Sequence, residues 1–178
     1  MKLKTKEIVM FGMIGVLMFV LKIAMESLPN IHLVGVFIVA ITVVYRLKAL
    51  YPIYLFVFIF GFYYGFSIWW IPYLYIWTVL WGFVMLLPKK MPPKIAPVIY
   101  MTVCSLHGFL YGTLYAPAQA LMFGLNFKQT LAWIATGLPF DVTHGISNFV
   151  CGILIVPIIK VLKLSQKDDF TRTNTKCN

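Results

Sequence analysis

Between Glu7 and Leu164 the chain is a succession of apolar runs, each closed by a proline, a glycine or a cluster of charge. A helix rises ~1.5 Å per residue, so roughly 20 apolar residues cover the hydrocarbon of a bilayer. In lipid no water is available to satisfy the backbone, which leaves helices or a closed barrel as the spanning structures. Runs of this length and continuity read as helices. With 61% of residues hydrophobic and 11% charged, a soluble domain is excluded. The expected fold class is an all-α integral membrane protein.

Six spans are expected. Met1 to Lys6 is a basic head, and 7–28 is the first run, too long for a signal-peptide core and followed by no small-residue cleavage site. Pro29 and Asn30 break it. A second run covers 31–45 and is closed by Arg46 and Lys48; a third covers 50–66, with Pro52 tolerable in its first turn. After a polar and aromatic corner at 67–70 comes a fourth run, 71–87, and then the PKKMPPK loop, Pro88 to Lys94. The fifth run, 95–123, is long enough to need a tilt or a kink at Pro117. A short amphipathic piece, 129–137, leads to Pro139. The last span is 141–164, so one six-helix domain covers 1–164, and 165–178 is a polar tail expected to be disordered.

Charge orients the bundle. The net charge is +10, yet all of the 15 Lys and Arg except Lys22 and Lys128 lie in the N-terminal head, two loops and the C-terminal end. Placing the N-terminus inside puts Lys2, Lys4, Lys6, Arg46, Lys48, Lys89, Lys90, Lys94, Lys160 and Lys163 on the cytoplasmic side, with Lys128 alone in an outer loop. The topology is therefore N-in and C-in. Orientation accounts for the basic residues without nucleic acid as a partner. Cys104, Cys151 and Cys177 have no CxxC spacing and define neither a disulfide framework nor a metal site.

Against this background the run PFDVTHGISN, Pro139 to Asn148, stands out. Asp141, His144 and Asn148 fall at i, i+3 and i+7, on one face of a helix. Ionisable groups at membrane depth are costly and are functional suspects. Lys22, Glu26, Asn30 and His32 end up in the same outer half, and Trp70, Tyr73, Trp77 and Trp81 form an aromatic stripe down the fourth span. Each feature also has a structural reading. Asp141 can be an N-cap after Pro139; Lys22 and Glu26 can neutralise each other; His107 can be an interhelical hydrogen bonder. Trp69 and Trp70 can belong to an interfacial belt. Gly61/Gly65 and Gly108/Gly112 are small-xxx-small contacts. The structural readings do not explain why the polar groups and the aromatic stripe share one half of the bundle.

A polar pocket with aromatic walls, open outward, suits capture of a small, partly flat solute. No GxxxxGK[ST] loop is present to use ATP, and no inverted repeat relates the two halves, so a motor must come from elsewhere. Three other classes share the same residues: a stand-alone proton-coupled carrier relaying through Asp141 and His144, an intramembrane enzyme using that pair as acid and base, and a haem protein using His32, His107 and His144. The enzyme reading lacks a placed nucleophile: there is no GxS motif, and Ser147 is expected to point away from the Asp141 face.

The basic N-terminus leading into one helix, the PNI break at Pro29 to Ile31, the WWIPYLYIW run from Trp69 to Trp77 and the LPFDVTHGISNF run from Leu138 to Phe149 together resemble the substrate-binding S component of energy-coupling factor (ECF) vitamin transporters. The resemblance covers nearly the whole chain. It implies a non-enzymatic, multi-pass protein of the bacterial plasma membrane that captures a vitamin or cofactor precursor outside. Such a component topples in the membrane while docked on a transmembrane T component driven by two cytoplasmic ATPases. ATP is then used by the partners, and no cofactor or metal belongs to this chain.

Carried onto this sequence, the resemblance implies a pocket of Asn30 and His32 from the outer break, Trp70, Tyr73 and Trp77 for stacking, and Asp141, His144 and Asn148 for hydrogen bonding. It also implies small residues on the first helix where the T component packs, commonly Ala-xxx-Ala. Here Gly12 and Gly15 are the candidates, with Val16 where the second small residue at i+4 would fall. Stacked aromatics suit a heteroaromatic or corrin-like ring. The short link between the first two helices leaves little loop to cap the pocket, which favours a bulky ligand such as cobalamin over thiamine.

Overall fold

A computed structural model describes residues 3–175, the last nine of them by backbone alone. Lys2 and Cys177 lie outside the described residues. The described residues form eight helices: α1 (Thr5–Ala24), α2 (Val34–Tyr45), α3 (Leu50–Tyr64), α4 (Tyr73–Leu86), α5 (Ala96–Phe109), α6 (Tyr111–Phe123), α7 (Phe127–Cys151) and α8 (Ile155–Thr175). No strand occurs among them. Short 3-10 turns lie at Arg46–Ala49, Ile68–Trp70 and Gly152–Leu154. Four helical runs, Thr5–Ala24, Val34–Tyr64, Ile68–Leu86 and Phe127–Gln166, are long and apolar enough to cross a membrane. This is the architecture of a membrane protein.

The centre of the bundle is α2. Val34, Val36, Ile38, Val39, Ala40 and Ile41 are all buried, so this helix is apolar all round and enclosed by α1, α4, α5 and α8. Its direction reverses at Arg46, a non-glycine residue with φ of 53°. That backbone is held in place: Arg46 donates to the Met85 carbonyl (2.7 Å) at the C-terminal end of α4, and Trp81 Nε1 donates to the Arg46 carbonyl (3.1 Å). The N-terminal half of α1 meets the start of α3 through Phe11 and Tyr51, and their far ends meet through Tyr64, which donates to Glu26 (2.7 Å). An ion pair between Glu7 and Lys48 closes the basic end. Large apolar side chains face outward, among them Met13, Phe62, Leu121 and Ile153, as expected where lipid is the solvent.

Three boundaries differ from the sequence expectation. The segment 129–137 and the span expected from Asp141 form one helix that passes through Pro139, so Asp141 is not an N-cap of its own helix. Its true N-cap is Asn126, whose side chain accepts from Gln129 N while Gln129 Oε1 accepts from Asn126 N, both at 2.9 Å. Pro139 deprives one carbonyl of its partner, a loss that membrane helices tolerate. The 95–123 run breaks at Leu110, not at Pro117, which lies inside α6. The C-terminal segment expected to be disordered continues α8 to Thr175.

Candidate functional site

The break at Leu110 is where the site is assembled. It exposes the N-terminal amides of α6, and the Asp141 carboxylate from α7 accepts the Gly112 N–H at 2.9 and 3.1 Å. Asp141 thus caps a helix, but a neighbouring one. The carboxylate and α6 can approach this closely because residue 112 is glycine: a Cβ there would lie 2.6 Å from Asp141 Oδ2. One turn earlier, a Cβ on Gly108 would lie 2.8 Å from Gly145 Cα, so α5 and α7 touch backbone to backbone.

Capping at Gly112 places Tyr111 over the core. There five rings from five segments close a circuit. His32, from the α1–α2 link, faces His144 of α7 at 4.7 Å between centroids; His144 faces Tyr111 at 4.9 Å; Tyr111 and His107 are 6.1 Å apart. His107 lies 5.8 Å from Trp77, and Trp77 returns to His32 at 6.0 Å. The three imidazoles and the indole are almost fully buried, none more than 5% exposed. The link that carries His32 is fixed by Asn30, which sits at φ of 61° and whose carbonyl lies 3.0 Å from Ser147 Oγ.

Buried polar atoms normally find partners. Here His32 Nδ1, His107 Nδ1, His144 Nε2, Trp77 Nε1 and, one turn deeper, Asn148 Oδ1 have none. Their chemical sense can be read in part. His107 Nε2 lies 3.1 Å from the Ile76 carbonyl, which can only accept, so that nitrogen carries the proton and Nδ1 of the neutral ring is an acceptor. Asn148 Nδ2 donates to the Cys104 carbonyl at 3.2 Å, leaving Oδ1 to accept. Trp77 Nε1 can only donate.

Of the expected residues the structure thus brings together His32, Trp77 and His144, with Asn30 and Asp141 as their supports, while Asn148 lies one helical turn along α7, bonded to the Cys104 carbonyl beside Gly35 and Gly108. Tyr73 lies at the edge, stacked on Phe60 at 5.3 Å and edge-on to Trp77. Trp70 is turned to α3, where its indole N–H donates to the Val57 carbonyl (2.9 Å). His107 has the interhelical bond expected of it and also joins the cluster. Tyr111 and Ser147 were not expected; Tyr111 follows His107 by four residues, and the break that aims it lies between Gly108 and Gly112, a pair whose spacing reads in the sequence only as a packing contact. Lys22 is half-buried in the last turn of α1, while Glu26 is taken by Tyr64.

On the opposite half of the molecule, Gly12, Met13, Val16 and Leu17 of α1 and Val161 and Leu162 of α8 line an open apolar groove of about 910 Å³. A methyl group added at Gly12 would meet nothing within 4 Å, whereas Gly15 is buried against Leu55 of α3 and does not belong to that open face. No protein-family model, curated protein or solved structure matches this chain.

Proposed function

We propose that this chain is the substrate-binding S subunit of an ECF-type importer, with six crossings, both termini inside, and the ring cluster in the outer half. The observation that carries the reading is the set of buried, unpartnered polar atoms on His32, His107, His144 and Trp77, all within one circuit of rings. Leaving such groups unpaired costs roughly 1–3 kcal/mol each, and a bound solute that pairs them recovers that energy as affinity. Aromatic faces and a few convergent polar groups are the composition of a small-molecule site.

In this reading Trp77 and Tyr111 stack on the ligand while the imidazoles orient it. Asp141 acts at one remove by holding the start of α6. Aromatic faces of this kind suit a flat heteroaromatic or corrin-like ring. The groove beside Gly12 and Val16 would receive the T component, and two ATPases would supply the drive that this chain lacks. The test is to purify the full chain in detergent, identify co-purifying small molecules by mass spectrometry, and titrate them by tryptophan quenching. Uptake by this chain in a host without any ECF partner would overturn the reading in favour of a stand-alone carrier.

A further inference from the structure

We infer that the ligand is recognised through a cyclic-amide edge, an N–H beside a C=O on a flat heterocycle, with the N–H given to His107 Nδ1 and the C=O accepting from Trp77 Nε1–H. The inference rests on the capture reading and deepens it. Its basis is the pairing of one obligate donor with one obligate acceptor on adjacent rings. Trp77 Nε1 has no acceptor capacity. His107 Nδ1 is left without a proton because Nε2 uses it on the Ile76 carbonyl. Both atoms are buried and unpartnered, on rings 5.8 Å apart and inclined by only 33°.

A cyclic amide offers the complement, acceptor to donor and donor to acceptor, on adjacent atoms of one plane. A carboxylate offers acceptors alone and would leave His107 Nδ1 facing a lone pair; a plain aromatic hydrocarbon would leave both atoms unpaired. The two remaining orphan nitrogens, His32 Nδ1 and His144 Nε2, belong to rings whose tautomers can adapt, so they tolerate either polarity on the far side of the ligand. Discrimination therefore resides in His107 and Trp77. A site that hydrogen-bonds a ligand N–H rejects an analogue lacking it far more strongly than an apolar pocket rejects a missing methylene.

The test uses the full chain in detergent and isothermal titration with three probes: hypoxanthine, 1-methylhypoxanthine, and indole as a flat ring without the amide edge. Hypoxanthine is expected to bind, with 1-methylhypoxanthine and indole at least about tenfold weaker. His107→Phe keeps a ring but removes the acceptor, and should bring the hypoxanthine to 1-methylhypoxanthine ratio to about one. The comparison of probes on the unaltered protein needs no variant to fold. Equal binding of all three overturns the amide inference and leaves the capture reading standing. If none binds, the co-purifying molecule decides: one with a cyclic-amide edge supports the inference and one without it overturns it. No probe binding and no co-purifying molecule overturns both.

Discussion

The Asp141 carboxylate on α7 accepts the Gly112 amide of α6, so one side chain both occupies the polar face of its own helix and begins the next helix in space. The consequence is a division of labour within a single run. His144 joins the ring circuit, Asn148 ties α7 to α5 through the Cys104 carbonyl, and Asp141 fixes the element that brings Tyr111 to the circuit. Asp141→Ala should strand a buried N–H and lower stability by roughly 1–3 kcal/mol. Asp141→Asn, which keeps an acceptor oxygen, should cost less. Thermal unfolding in detergent checks the order, and a ligand affinity that falls in step with it would show the same support.

Gly108 and Gly112 allow α5 and α6 to lie against α7. Alanine at either site should overpack the interface and destabilise by roughly 1–3 kcal/mol, since the atoms met are Gly145 backbone and a hydrogen-bonded carboxylate. Gly12→Ala is the matched control, with open space around it, and should leave thermal stability unchanged.

Much of this was legible in the sequence because lipid makes the patterns coarse. Run lengths, basic loops and the i, i+3, i+7 polar face follow from hydropathy and periodicity alone. What was not legible is where a helix bends. Proline is a reliable breaker in water, but Pro139 passes through α7, while the operative break at Leu110 comes from tertiary capping by Asp141. The same blindness hid Tyr111, whose aim depends on that break, and Gly15, whose facing toward Leu55 depends on how α1 rotates against α3. It also separated Trp70 from Tyr73 and Trp77: a stripe at helical spacing does not reveal that the chain enters α4 through a 3-10 turn that directs Trp70 to Val57.

Gly12 and Gly15 should respond differently to leucine. At Gly12 the side chain would project into the α1–α8 groove, sparing both fold and ligand binding but reducing co-purification of a T component. At Gly15 it would strike Leu55 and weaken α1–α3 packing, lowering thermal stability before any partner is added. Equal loss of partner at equal stability would place the docking surface elsewhere.

Orientation can be read chemically. In a background with the native cysteines replaced by alanine, Lys128→Cys should react with a membrane-impermeant maleimide on intact cells, and Lys90→Cys only after permeabilisation. Both positions are exposed, and basic-residue counting puts them on opposite sides. Labelling of Lys90→Cys on intact cells would reverse the topology.

The histidines separate a binding site from a structural core most sharply. A buried side chain kept for stability makes the protein weaker when it is replaced. A buried group whose nitrogen has no partner lowers stability, and an apolar ring of comparable shape removes that cost. His32→Phe and His144→Phe should therefore leave thermal stability unchanged or raise it, while weakening ligand binding about tenfold or more, each variant having lost a group the ligand pairs. Trp77→Phe retains a ring but deletes Nε1, and should show the same opposition with a smaller gain, since it also loses packed volume. Stability and affinity falling together in all three variants would mark the ring circuit as core and move the site elsewhere.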